Sequence, residues 1–386
     1  MWSFFRKSST STTTDDGLAF ALDLYGRLRN ADENLVCSPW SVQSVLGLLL
    51  AGARGETAAA LGTVPVAKEI TAAGFQSANS LWIHDTVTLL PSFIEAVSTK
   101  GGASLQMLAA RNPEAAINEW VAERTLQRIP RLLDHLSGAL GVVFVNAIVL
   151  DARWAAKFDP ESTLPSPFHT GHGSAVHVRM MHGRKTVPYT DADRLGAQAL
   201  ELPYRDSSLA MVLILPHQNV SLNVVEARLG AGELAQVLKS LRAQVVEIQI
   251  PRFSFRTRIE HLDHALREQG LGVIFEINRA DFSGISGEPP GTNRSRVVQK
   301  VVQEASIETD EVGTVATAAT GVVLARSARR WGPTYPAFRA DRPFLFLIRD
   351  RETGAVVFIG RVVDPGGHVK PPDDPFLARA FGRRLG

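Results

Sequence analysis

Residues 40–53 (WSVQSVLGLLLAGA) read as a helix opened by Ser38 and Pro39, with apolar side chains on almost every face. A helix with a single apolar stripe can lie on a surface, but one that is apolar nearly all round has to be enclosed. A second stretch makes the same demand for a strand. Residues 142–150 (VVFVNAIVL) lack the alternation of a half-exposed strand and suit one covered on both faces. Enclosing both takes a large core, which 386 residues with 45% hydrophobic composition supply.

The remaining pattern puts helices in front and strands behind. Leu18, Leu22, Tyr25 and Leu28 recur at helical spacing after Asp15 and Asp16. Residues 80–90 read as a strand, and 113–136 return to a helix with Ile117, Val121, Ile129 and Leu132 on one side. Further strands are expected at 195–202, 210–215, 245–250, 297–307, 344–348 and 356–363, with helices at 222–241 and 259–269. This inventory predicts an α+β fold. Length by itself allows two or three domains of about 150 residues. No linker divides the middle, so one domain over 17–365 is expected, with tails at 1–16 (disordered) and 366–386.

Composition narrows the function. Lys plus Arg (41) nearly balance Asp plus Glu (39), and a net charge of +2 gives no whole-molecule attraction to nucleic acid or membrane. Nowhere do about twenty apolar residues run together, and no signal peptide is visible, so the sequence reads as cytoplasmic. The lone Cys37 excludes an internal disulfide and reads as a small buried hydrophobe. G-x-S-x-G, Walker, G-x-G-x-x-G and H-E-x-x-H motifs are all missing, so neither catalytic residues nor a cofactor are expected. His169, His172, His177 and His182 lack the acidic partners and helical spacing of common zinc sites; His261 and His264 read as a polar helix face. No metal is expected.

One segment does not fit an ordinary loop. Residues 312–325 (VGTVATAATGVVLA) carry no charge and no proline, yet Gly313, Gly321 and the arginines that follow mark an exposed loop. Exposed loops are usually polar. As a buried strand the segment has too many alanines, and as a helix it is weakened by Thr314, Val315, Thr317 and Thr320. A third reading has it occupy solvent in one state and a sheet in another. Extended, Thr314, Ala316, Ala318 and Thr320 share one face and Val315, Thr317 and Ala319 the other, all small enough to slide between strands. Gly313 would supply freedom at the pivot, and Glu311 would end the preceding strand.

These residues resemble the hinge of the serpins: a glutamate, one residue, Gly-Thr, then a run of small residues. Glu311, Gly313, Thr314, Val315, Ala316, Thr317, Ala318, Ala319 and Thr320 match it, with Val315 and Thr317 as minor departures. The likeness extends over about residues 18–365. Asn34-Leu35-Val36-Cys37-Ser38-Pro39-Trp40-Ser41 looks like the start of the buried serpin helix, and Asn118-Glu119-Trp120-Val121 with Thr125 and Ile129 like the helix lying across the main sheet. Phe144-Val145-Asn146-Ala147 with Trp154 and Phe158 resembles a central strand and the top of that sheet. Asp341-Arg342-Pro343-Phe344 and Phe358-Ile359-Gly360-Arg361 resemble the C-terminal signature.

The resemblance implies helices packed around a large central mixed β-sheet with two smaller sheets, and an exposed reactive centre loop within 311–335. It implies a suicide substrate: a target serine protease cleaves the loop, is held as a covalent acyl-enzyme, and is trapped when the loop inserts into the main sheet. Ser38, Ser41, Asn146, Gln303 and Trp154 would control sheet opening, Gln303 standing where inhibitory serpins often have histidine. The family's spacing from the hinge glutamate puts the cleaved bond after Ser327, and loops one residue shorter put it at Arg326–Ser327, the choice preferred here for a trypsin-like protease. Ala328, Arg329 and Arg330 are alternates. The short stretch at 61–77 leaves little room for a glycosaminoglycan-binding helix, so heparin is not expected as a partner; a monomer is. Extracellular placement is open by resemblance. The competing readings are a non-inhibitory serpin (chaperone or carrier), an inhibitor of elastase-like or papain-like proteases, and an α+β hydrolase with a dispersed triad.

Overall fold

A computed structural model describes residues 12–98, 103–108, 112–136, 142–171, 173–289, 298–314 and 335–370. Among these the helices are α1 (Thr12–Leu28), α2 (Pro39–Gly52), α3 (Gly55–Leu61), α4 (Pro91–Ser98), α5 (Pro113–Arg124), α6 (Leu222–Arg228), α7 (Ala231–Ser240), α8 (Leu262–Leu266) and α9 (Ser283–Ser286). The strands run β1 (Leu35–Cys37), β2 (Phe75–His84), β3 (Ser104–Leu108), β4 (Val142–Leu150), β5 (Ala152–Arg153), β6 (Thr163–His169), β7 (Ala175–Ala192) and β8 (Ala197–Pro203). They continue with β9 (Leu209–Pro216), β10 (Arg242–Pro251), β11 (Phe253–Ile259), β12 (Val298–Thr309), β13 (Gly313–Thr314), β14 (Ala337–Arg339), β15 (Phe344–Asp350) and β16 (Val356–Val362).

The strands form two sheets. In one the order is β3-β2-β4-β12-β13-β5, with β11 also paired to β12. Its centre is a parallel seam in which Val301 lies opposite Phe144 and Ala305 opposite Ile148. The other sheet has the order β1-β16-β15-β9-β8-β7-β10-β14, with β6 on β7. Helix α2 touches β2 and β4 of the first sheet and β16 of the second, which is why it is apolar on nearly every side. Val45, Leu46, Leu48 and Leu49 are at most 1% exposed, and each such burial contributes about 1.5–3 kcal/mol. Cys37 is fully buried, and burial pushes its thiol pKa up, so it stays protonated. On the outer face of the seam Ile117 and Val121 of α5, with Ile129, Leu132 and Leu133, pack on Val143, Val145, Val149 and Val302.

Several elements differ from the sequence reading. The expected two smaller sheets are one continuous ladder, because the 18-residue β7 pairs in turn with β6, β10 and β8. The helix expected over 113–136 stops at Arg124; Leu126 and Gln127 take positive φ, and Pro130 disfavours helix in the residue before it. The helix expected over 222–241 is broken at Leu229 and Gly230, where glycines at 230 and 232 lower helix propensity. The strand expected at 80–90 begins at Phe75 and ends at His84. Residues 253–259 of the stretch before α8 are strand, and α1 begins at Thr12, inside the expected tail.

Candidate functional site

The residues expected to form the hinge, Glu311, Gly313 and Thr314, sit at the top of the parallel seam. Strand β12 ends at Thr309, and Asp310 turns the chain: its Oδ1 accepts from the Val312 and Gly313 amides at 2.8 and 3.1 Å, and its own amide donates to Gly313 O at 3.0 Å. Short acidic side chains favour such turns because they replace a backbone acceptor. The returning chain forms β13, antiparallel both to β12, with Thr314 opposite Thr309, and to β5, with Thr314 opposite Ala152. A Cβ on Gly313 would lie 2.1 Å from Ala152 O. Glycine is therefore required here for close approach to β5.

Glu311 lies in this turn beyond the end of β12, and it is fully buried. Arg252 grips its carboxylate with two nitrogens, Nε to Oε1 at 2.8 Å and Nη2 to Oε2 at 2.6 Å, while the Thr163 hydroxyl donates to Oε1. The first contact is a charge-assisted hydrogen bond and the second a close ion pair. The Glu311 carbonyl accepts from Phe158 N at 2.9 Å. Trp154 belongs to the same group: its indole donates to Asp310 O at 2.8 Å, and its ring stacks on Tyr204 at 4.8 Å. The Tyr204 hydroxyl is 2.6 Å from that of Thr314, and burial raises the phenol's pKa.

A second polar group lies further down the seam. Ser38 N donates to Gln303 Oε1 at 2.9 Å, Gln303 Nε2 donates back to Ser38 O at 3.1 Å, and Ser38 Oγ caps α2 by accepting from Ser41 N. The Ser41 hydroxyl meets the amides of Asn79 and Asn146. It has one proton to donate, so one of those amides presents its oxygen and the other its NH2. Asn146 and Gln303 are partners across the seam, so the group ties β4, β12 and α2 together. Ser38, Ser41, Asn146 and Gln303 thus meet as one cluster with Asn79. Trp154, assigned to the same role from the sequence, stands apart at the hinge.

On the outer face, burial holds the Glu304 carboxyl above the ordinary carboxylate range, against the opposing pull of Arg256 and Arg258. A carboxyl that binds its proton more tightly folded than unfolded adds stability below its unfolded pKa and loses that contribution as pH rises through its folded pKa. Glu304→Gln is accordingly expected to unfold at higher urea than the parent at about pH 8, the two converging towards about pH 4. Equal midpoints at the higher pH would refute a strained carboxylate.

Val315, Ala316, Thr317, Ala318, Ala319, Thr320, Arg326, Ser327, Ala328, Arg329 and Arg330 lie outside the described residues, as does His172. Of the other histidines in that set, His182 Nδ1 lies 3.1 Å from Ser162 O and 3.0 Å from Met180 O, and His177 is on β7 opposite Pro167. His261 and His264 converge with Asp263 on one exposed turn. Sequence reasoning missed Arg252, Thr163, Tyr204 and Asn79. Asn79 carried no signal, since the strand was expected to begin only at residue 80.

A family model described as Serpin (serine protease inhibitor) matches residues 16–365. An uncharacterised serpin-like protein of Thermococcus kodakarensis is 34% identical over 371 residues, covering 90% of this chain and 84% of that protein. The leukocyte elastase inhibitor of Homo sapiens is 30% identical over 379 residues, covering 90% and 97%. Among solved structures, thyroxine-binding globulin in complex with thyroxine aligns with a TM-score of 0.78 at 25% identity, over 92% of this chain and 99% of that one. Matched over nearly its whole length in sequence and in fold, the chain belongs to the serpin family.

Proposed function

We propose that this serpin inhibits serine proteases as a suicide substrate: the protease cleaves the loop at Arg326–Ser327, is held as an acyl-enzyme, and is disabled when the loop enters the seam between β4 and β12. The observation that carries this is the hinge entering a parallel seam. Because β4 and β12 run the same way and the chain reverses at Asp310, a strand continuing from β13 is antiparallel to both neighbours. One parallel pairing is thereby exchanged for two antiparallel ones, which are somewhat stronger per residue.

The register supports the same reading. Continued from Thr314 opposite Thr309 and Ala152, it brings Ala318 opposite both Ala305 and Ile148, and Thr320 opposite both Gln303 and Asn146. Those pairs already face each other across the closed seam, so one strand fits both ladders without a slip. Thr314, Ala316, Ala318 and Thr320 then face the body of the protein, where Ile148, Leu150, Ala305 and Ile307 are buried and only small side chains fit. About ten added backbone hydrogen bonds at roughly 0.5–1.5 kcal/mol each approach a whole domain's stability of about 5–15 kcal/mol. An uncut state with that much stability in reserve is held kinetically.

Arg326 suits the acidic specificity pocket of a trypsin-like enzyme. The test is incubation with trypsin and with elastase, followed by denaturing gels and the mass of the released C-terminal peptide. A gel-stable complex with trypsin and a peptide beginning at Ser327 is expected. A complex with elastase and a peptide beginning at Ala328 would move the bond by one residue. Clean cleavage without complex by every protease tried would sink inhibition and leave a carrier role, such as thyroxine-binding globulin's name describes, as the better reading.

A further inference from the structure

After α5 the chain runs back over the outer face of the main sheet as an irregular strap, residues 125–136. Its apolar side chains Ile129, Leu132 and Leu133 rest in the cluster built on Val143, Val145 and Val149 of β4. Asn118 of α5 fixes that end: its Oδ1 accepts from the Leu132 and Leu133 amides, both at 2.8 Å, and its Nδ2 donates to Leu133 O at 2.8 Å.

Other polar ties of the strap run past the seam to β11. Arg256 Nη2 donates to Arg128 O at 2.9 Å, and Arg258 Nη2 pairs with Asp134 Oδ2 at 2.7 Å, while Asp134 Oδ1 also meets Arg131 Nε at 2.8 Å. Between them on β12 stands Glu304, opposite Arg258 on one side and Ala147 on the other, holding Arg256 Nη1 at 3.2 Å. The strap is thus fastened on both sides of the line where β4 meets β12.

A strand entering that line moves β12 and β11 away from β4 by about one strand spacing, roughly 4.8 Å. No hydrogen bond or close ion pair survives such a stretch, and a strap anchored through Asn118 cannot follow both sides.

We propose that Arg256 and Arg258 are positioning residues that set the rate of loop insertion. By tying the strap to β11 they hold the seam shut, and their contacts with Arg128 and Asp134 part before Ala319 comes level with Glu304. This rests on the inhibitory reading above, since it concerns the rate of the step that traps the protease.

The test mixes the full-length protein with enough trypsin that the observed rate no longer depends on trypsin concentration, and follows intrinsic tryptophan fluorescence as the loop enters. Asp134→Asn and Arg258→Gln are each expected to speed insertion about fivefold, the rate equivalent of one partly exposed ion pair. Because the two share a single contact, the double variant should be no faster than either alone, and Arg258→Lys, which keeps the charge, should stay near the parent. Asp134 has a half-exposed side chain, so its variant is expected to fold with nearly the parent's urea midpoint. If the parent inserts and these variants insert at its rate, or if the two effects simply multiply in the double variant, the proposal is overturned. If the parent itself shows no fluorescence change and no gain in heat resistance on cleavage, it is the inhibitory reading that fails.

Discussion

Ala318→Arg is expected to turn the protein from a trap into a substrate. In the closed seam Ala305 and Ile148 pair directly with each other, so no side chain stands between them before cleavage. On the proposed insertion, residue 318 would come between those two, on the side of the sheet where Ile148 and Ala305 are buried among apolar side chains. An uncompensated buried charge costs about 3–5 kcal/mol, and about 1.4 kcal/mol is a factor of ten in rate. Insertion then slows by about two to three and a half orders of magnitude, on the order of 100- to several thousand-fold. Hydrolysis of the acyl-enzyme overtakes it, and the protease leaves intact. The measurement is the number of inhibitor molecules consumed per protease silenced: about one for the parent, and more than about ten for the variant, with cleaved free serpin replacing the covalent band. An unchanged ratio would show that residue 318 never enters the sheet.

Removing the Arg252 side chain should cost the most stability among the hinge residues. Glu311 is fully buried, and among the described residues its remaining side-chain partner is the Thr163 hydroxyl, which cannot neutralise a carboxylate. Breaking a wholly buried pair costs about 3–5 kcal/mol. Arg252 is one-third exposed, so water screens part of the effect and about 2–3 kcal/mol is expected for Arg252→Ala. Arg252→Lys should recover only part of it, because an ammonium replaces the two-pronged grip with a point contact. Urea unfolding of the uncut protein reads both variants; an alanine midpoint within about 0.5 kcal/mol of the parent would mean that Glu311 is held by other groups.

How much of this was legible depended on whether the cause was local. The apolar run of β4 and the all-round apolar α2 announced their burial, because hydrophobic patterning is written in consecutive residues. The uncharged stretch after Glu311 was visible for the same reason, though from residue 315 on it lies outside the described residues. The helix expected to run to residue 136 ends at Arg124, where Leu126 and Gln127 take positive φ, and the chain beyond is shaped by side-chain bonds from Asn118 to residues 132 and 133 that no periodicity reports. Strand β7 escaped notice because it pairs with different neighbours along its length, so no single alternation runs through it.

The sequence by itself determined the class of fold, the family and the elements that must be buried. Tertiary structure alone decided that Arg252 meets Glu311, that Ser41 joins Asn79 to Asn146, that the Trp154 indole bonds Asp310, and that Gly313 is needed for contact with β5. The reason is separation along the chain. A side chain's preference for burial or for a turn acts within a few residues, whereas the partner of a buried charge is chosen by which distant strands the whole fold brings side by side.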